Sequence, residues 1–230
     1  MMLEARGIAK TFVLHLQGGT RIPVLDGVGL QVCAGECVAL SGPSGAGKST
    51  LMRSLYGSYR TDAGSILVRH GGVMVDLARA DPRLVLQVRR DSLGYVSQFL
   101  RVVPRVPTLD VVAEPALARG VPLDQARRDA AALLNRLNIP QRLQALPPAT
   151  FSGGEQQRVN LARGFVAGHP ILLLDEPTAS LDDANRDIVI GLIREATGRG
   201  AAVVGIFHDA AVRAAVADRT LNVQPHRDAA

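Results

Sequence analysis

The chain has 230 residues, enough for one large domain or two modest ones with a well-buried core. Its 47% hydrophobic and 20% charged content is that of an ordinary globular protein, and no apolar run approaches the roughly 20 residues that cross a bilayer. The net charge of +5 is scattered, and with 3% aromatic residues and no tryptophan there is little from which to build a base-stacking surface, so no nucleic-acid partner is expected.

The opening stretch MMLEARGIAK carries Glu4 and no apolar segment, which argues against a secretory signal and for a cytoplasmic location without direct membrane insertion. KTFVLHL and RIPVL flank QGGT, whose Gly18-Gly19 pair signals a hairpin. Cys33 and Cys37 then stand four apart; without a partner Cys or His nearby, two small buried hydrophobes at a strand entrance outweigh a metal or redox pair. ECVALS (36–41) reads as a strand buried on both faces of a parallel sheet. A helical segment with Leu51 and Leu55 follows, then a second hairpin around Gly71-Gly72, then SLGYVSQ (92–98) as a short strand ending in Gln98. From about 100 to 167 the pattern changes. Pro104, Pro107, Pro115, Pro122, Pro140 and Pro147-Pro148 punctuate helix-like stretches, the clearest being 122–137 with Pro122 suited to its start. ILLLDE and AAVVGIF return to buried strands, with a helix near 182–197 between them, and PHRDAA reads as a frayed tail.

Gly42-Pro43-Ser44-Gly45-Ala46-Gly47-Lys48-Ser49-Thr50 contains G-x-x-x-x-G-K-S between a buried strand and a helix, the phosphate-binding P-loop. Glycines let backbone N–H groups close around a phosphate, Lys48 adds a point charge, and the Ser49 hydroxyl suits Mg²⁺. Asp175 and Glu176 end a buried strand, where ligands of open parallel sheets lie. Asp175 is expected to support Mg²⁺ and Glu176 to polarise the attacking water as general base. Gln98 is placed to contact Mg²⁺ or water. His208, at the end of AAVVGIF, is placed to donate to the γ-phosphate as charge develops. Ser152-Gly153-Gly154-Glu155 forms a capping box, but two adjacent glycines are poor helix formers and point to a close approach by something else.

In this order the P-loop, Gln98, FSGGEQQRVNLARG, ILLLDEPTASLD and His208 resemble ABC-type ATPase subunits, and the resemblance covers the whole chain. It implies an α/β fold: a P-loop NTPase core with an antiparallel β subdomain (1–98 and 168–224) and an inserted helical subdomain (99–167). It further implies ATP and Mg²⁺ as cofactors, Phe12 as the aromatic stacked on adenine, and a second ABC ATPase subunit, either another copy or a paralogue. Ser180-Leu181-Asp182 resembles the loop that crosses the dimer interface, and Ser152, Gly153, Gly154 and Glu155 the loop pressed against the opposite subunit's ATP. Glu155 stands where the family more often has Gln.

KTFVLHLQGGTRIPVL, STLMRSLYGSY, SQFLRVVPRV and GAAVVGIFHD resemble one branch more narrowly, the PhnL-type subunits of the bacterial phosphonate carbon–phosphorus lyase system. That implies lyase core subunits as partners and an accessory role in forming a ribose triphosphate phosphonate, although no residue points to a phosphonate site. The alternatives are an exporter or lipoprotein-release ATPase and an ATP-gated dimerisation module with little turnover. The lyase and exporter readings differ in what the surface around 99–110 binds, a soluble enzyme complex or a coupling helix of a membrane subunit.

Overall fold

The computed structural model describes residues 1–100 and 104–224; the tail at 225–230 and part of the 99–110 surface lie outside the described residues. Strands β1 (Leu3–Leu14) and β2 (Thr20–Val32) form the first hairpin. β3 (Cys37–Ser41) leads into α1 (Lys48–Leu55), and β4 (Ala63–His70) with β5 (Val73–Asp76) form the second hairpin. α2 (Pro82–Asp91), β6 (Leu93–Val96), α3 (Thr108–Ala118), α4 (Leu123–Arg136), α5 (Gln141–Gln144) and α6 (Gly153–Val166) follow. The chain closes with β7 (Ile171–Asp175), α7 (Asp183–Gly198), β8 (Ala202–Ile206), α8 (Ala210–Val216) and β9 (Arg219–Asn222).

Two sheets result: an antiparallel one in the order β2-β1-β4-β5 and a parallel one in the order β6-β7-β8-β3-β9. Every residue of β7 and β8 is buried, which explains their continuous apolar sequences. Side chains alternate between faces with period two. Ile171 and Leu173 join a core with Leu51, Met52 and Leu55 of α1 and with Leu3, Ile8 and Val68 of the antiparallel sheet. Leu172 and Leu174 join the opposite core, with Leu134 of α4, Leu161 of α6 and Val189 of α7.

One element was not foreseen, and two expectations change. Residues 82–91 form a helix that the apolar pattern does not announce, because Val88 is its only fully covered hydrophobe; its start is written in Asp81, whose carboxylate accepts from the Arg83 and Leu84 N–H groups, and in Pro82 at the first helical position. Pro115 lies inside α3 rather than breaking it, since burial of Val112, Ala113 and Ala116 against neighbouring helices outweighs the missing hydrogen bond. Gln98 sits two residues beyond the end of β6 rather than in the strand.

The cysteines also separate: Cys37 is buried in β3, but Cys33 is exposed, contrary to the expectation of two buried side chains. Burial, assisted by the nearby charges of Asp218 and Glu36, pushes the Cys37 thiol up to about 12. Native protein treated with a thiol reagent at pH 8 should therefore label at Cys33 alone and reach two labels only on denaturation; two labels at comparable rates would contradict this packing.

Candidate active site

β3 stops at Ser41, and the chain turns through 42–47 before α1 begins. Gly42, Gly45 and Gly47 hold φ values of 136°, 80° and 91°, the region where a side chain is strained. A Cβ on Gly42 would collide with the Val223 carbonyl, and one on Gly47 would approach Leu25 Cδ2 at 2.8 Å. Residues in such conformations can gather backbone N–H groups around an anion at the α1 N-terminus. Lys48 Nζ arches back over the loop, donating to the carbonyls of Gly42 at 2.7 Å and Pro43 at 2.8 Å. Pro43 and Ser44 are exposed, Ala46 is buried, and Thr50 lies in the first turn of α1. This cradle fits a polyphosphate.

Opposite it, Asp175 closes β7 and is only 2% exposed. Its Oδ1 accepts from Ser49 Oγ at 3.4 Å and its Oδ2 from the Tyr95 hydroxyl at 3.0 Å. Burial raises the Asp175 pKa, the Tyr95 hydrogen bond opposes this, and the charge of Glu176 adds to the rise. Burial first, and then Asp175, push the Tyr95 phenol up as well. Ser49 Oγ and the Asp175 carboxylate are hard oxygen donors of the kind Mg²⁺ takes when phosphates complete its ligands, so they fit that ion.

Glu176 leaves β7 with φ of 54°, its N–H donating to the Ile206 carbonyl at 3.1 Å. Its carboxylate is held at both oxygens: Gln98 Nε2 donates to Oε2 at 3.1 Å, and His208 Nε2 lies 2.8 Å from Oε1. Gln98 and His208, expected at the metal and the phosphate, are thus brought together on Glu176. The carboxylate is fixed between two elements that enter from different strands.

Phe12 stands half-buried on β1, edge-to-face with Tyr59 at 5.3 Å and with Lys10 Nζ 5.4 Å from its ring centroid. The aromatic platform exists, and a cation accompanies it.

Ser152 caps α6, and the predicted capping box is complete. Glu155 Oε2 accepts from Ser152 N at 2.9 Å and Ser152 Oγ at 2.7 Å, hydrogen bonds that hold the Glu155 carboxyl below its usual range. Among the described residues, no hydrogen bond joins residues 152–155 to the P-loop of the same chain. Gly153 faces open space, whereas a Cβ on Gly154 would meet the Ser180 carbonyl at 3.1 Å. Gly154 therefore lets α6 approach its own chain's Ser180 loop, and only Gly153 retains the open space expected of both glycines. Asp182 spends its Oδ1 on the N–H and side chain of Asn185, capping α7.

Several residues at this site escaped the sequence reading. Gln157 Nε2 donates to the backbone carbonyls of Glu176 at 3.4 Å and Pro177 at 3.1 Å, joining α6 to the catalytic edge. Arg186 binds the Leu181 carbonyl at 3.2 Å and Asp209 Oδ2 at 2.9 Å, holding the loop after Glu176. Tyr95 was visible only as one alternating residue of a strand, because its partner lies 80 positions away.

The sequence matches the family described as ABC transporter over residues 25–179. It is 39% identical over 209 residues to the lipoprotein-releasing system ATP-binding protein LolD of Maricaulis maris, covering 90% of this chain and 88% of that one. It is 36% identical over 223 residues to the macrolide export ATP-binding/permease protein MacB of Nitrobacter winogradskyi, covering 97% of this chain but 33% of the relative; the chain spans about a third of MacB's length. The dimeric post-hydrolysis structure of the ATP-binding cassette MJ0796 bound to ADP and Pi superposes with a TM-score of 0.87 at 27% identity, over 97% of this chain and 94% of that one.

Because the Lys48 ammonium bonds only carbonyls of its own loop, Lys48→Ala should leave the melting temperature of the nucleotide-free protein within about 2 °C of the original. The same variant should lose most of the stabilisation that ATP confers, measured by thermal shift. An undiminished ATP shift would contradict the cradle.

Proposed function

The chain belongs to the ABC transporter family, with the fold of an ABC ATPase that uses ATP and Mg²⁺, and from that premise we propose that it powers an export or lipoprotein-release system as one half of an ATP-closed dimer. The observation that carries the ATPase part of the reading is Glu176, held at both oxygens by Gln98 and His208 on the strand edge that also bears Asp175, and the export or lipoprotein-release part rests on the likeness to LolD and MacB.

In this mechanism the P-loop amides and Lys48 bind the β- and γ-phosphates of ATP, and Phe12 stacks on its base. Lys48 exchanges its loop carbonyls for phosphate oxygens as the nucleotide enters. Ser49, Gln98 and Asp175 would hold Mg²⁺, which would supply positive charge against the phosphate oxygens. Glu176 accepts a proton from water as the water oxygen attacks the γ-phosphorus, and the bond to the ADP oxygen breaks. Gln98 and His208 keep the carboxylate aimed, and the exposed His208 ring is free to turn its N–H toward the transferring phosphoryl group. Ser152 and Gly153 reach the ATP of the second subunit around a two-fold axis, and Ser180 to Asp182 lie along the same interface. The dimeric MJ0796 structures support this arrangement.

The membrane component of this proposal is a permease, as the printed names of relatives such as MacB suggest, and none of the described helices is long and apolar enough to cross a bilayer. A cavity of about 270 Å³ between α2 and β6 on one side and α3 and α6 on the other has room for one or two side chains of a docked permease segment: Leu86, Pro115 and Ala118 offer apolar surface, and Arg89, Arg163 and Glu114 offer charge. LolD, MacB and the pyoverdine export protein PvdT of Pseudomonas aeruginosa support this assignment over the phosphonate-lyase one, which no feature of the site favours.

Glu176→Gln should bind ATP normally, hydrolyse it at least about a hundredfold more slowly, and accumulate as a dimer in size-exclusion chromatography. Turnover at the original rate would remove Glu176 as the base. Ser152→Arg should abolish that dimer while sparing ATP affinity of the monomer, and equal loss of both would contradict action across the interface. Purification of the tagged chain from solubilised cells should recover a permease; recovery of soluble carbon–phosphorus lyase subunits instead would overturn the transport assignment.

A further inference from the structure

The Tyr95 phenol is a half-buried polar group that the mechanism above does not use. A phenylalanine would fill the same space, so the hydroxyl needs its own reason. Its acceptor is Asp175 Oδ2 at 3.0 Å, the oxygen turned away from Ser49. Parallel pairing sets Tyr95 beside Leu173, two residues before Asp175, so both side chains share one face of the sheet, and the long phenol leans along the strand to reach the carboxylate.

The ring itself is firmly held. It packs on Tyr56 with centroids 4.9 Å apart and planes tilted by 32°. The Arg89 guanidinium carbon lies 4.5 Å from the Tyr56 ring centroid, and Arg89 Nε donates to the Tyr56 carbonyl at 2.9 Å. An aspartate turns easily about its last torsion. Ser49, at 3.4 Å, is a weak restraint on that rotation, and Tyr95 is the shorter of the two bonds.

We propose that Tyr95 is a positioning residue for the metal site: its hydroxyl clamps Asp175 Oδ2 so that Oδ1 stays aimed at Ser49 and the ion they share. The proposal rests on the reading of Asp175 as a metal-holding residue. Only one oxygen of a clamped carboxylate needs to serve the cation, and the geometry is set before the cation arrives. Removing the hydroxyl frees the carboxylate to rotate without opening a cavity the size of a side chain.

The test is Mn²⁺ binding to the ADP complex, followed by electron paramagnetic resonance, for the full chain and the variants Tyr95→Phe, Tyr56→Phe and Asp175→Asn. Tyr95→Phe should weaken Mn²⁺ binding about tenfold, the size of one charge-assisted hydrogen bond, while ADP affinity in EDTA and the melting temperature stay close to the original. Tyr56→Phe, which removes the neighbouring hydroxyl, should change neither. Unchanged Mn²⁺ affinity in Tyr95→Phe alongside a loss in Asp175→Asn would overturn the clamp and leave the metal site standing. Unchanged affinity in both would overturn the metal site and the clamp with it. Equal losses of ADP and Mn²⁺ affinity in Tyr95→Phe would reduce Tyr95 to general packing and overturn the clamp as well.

Discussion

Burial of both faces of the parallel sheet forces its chemistry to the strand ends. β3, β7 and β8 have no solvated face on which a polar side chain could stand, so charge appears only where the strands run out. Parallel pairing then aligns those ends: Asp175 pairs with Ile206, which brings Glu176 beside the chain that carries His208. β3 delivers the P-loop to the same edge and β6 delivers Gln98. Strands that are apolar along their length, β3, β7 and β8, thus assemble one concentrated site at their ends.

The two cores divide the labour around that edge. One ties α1, and with it Lys48 and Ser49, to the sheet and to the antiparallel strands that carry Phe12. The other ties α3, α4, α6 and α7 to the reverse face. The P-loop and the inserted helices therefore rest on separate packing, joined through the sheet and through a few polar links at its rim.

Much of this was legible in the amino-acid order. The P-loop needs specific residue types at fixed spacing, and the buried strands need continuous apolar runs, so both leave local marks. α2 left a weaker one because only Val88 is fully covered, and Pro115 misled because a proline's cost can be met by packing between helices that no local window sees. Gln98, Glu176 and His208 could each be placed at a strand end, but not that the first and last would meet on the second; that follows from sheet order. Tyr95 was invisible for the same reason, and so was the approach of Gly154 to Ser180, which lies in a distant loop.

Gln157 ties two parts of the site together. It lies one turn into α6, which starts at Ser152, and its amide donates to the backbone carbonyls of Glu176 and Pro177. The helix that starts at Ser152 is thereby fastened to the peptide that carries Glu176, so a tilt of α6 carries that peptide with it.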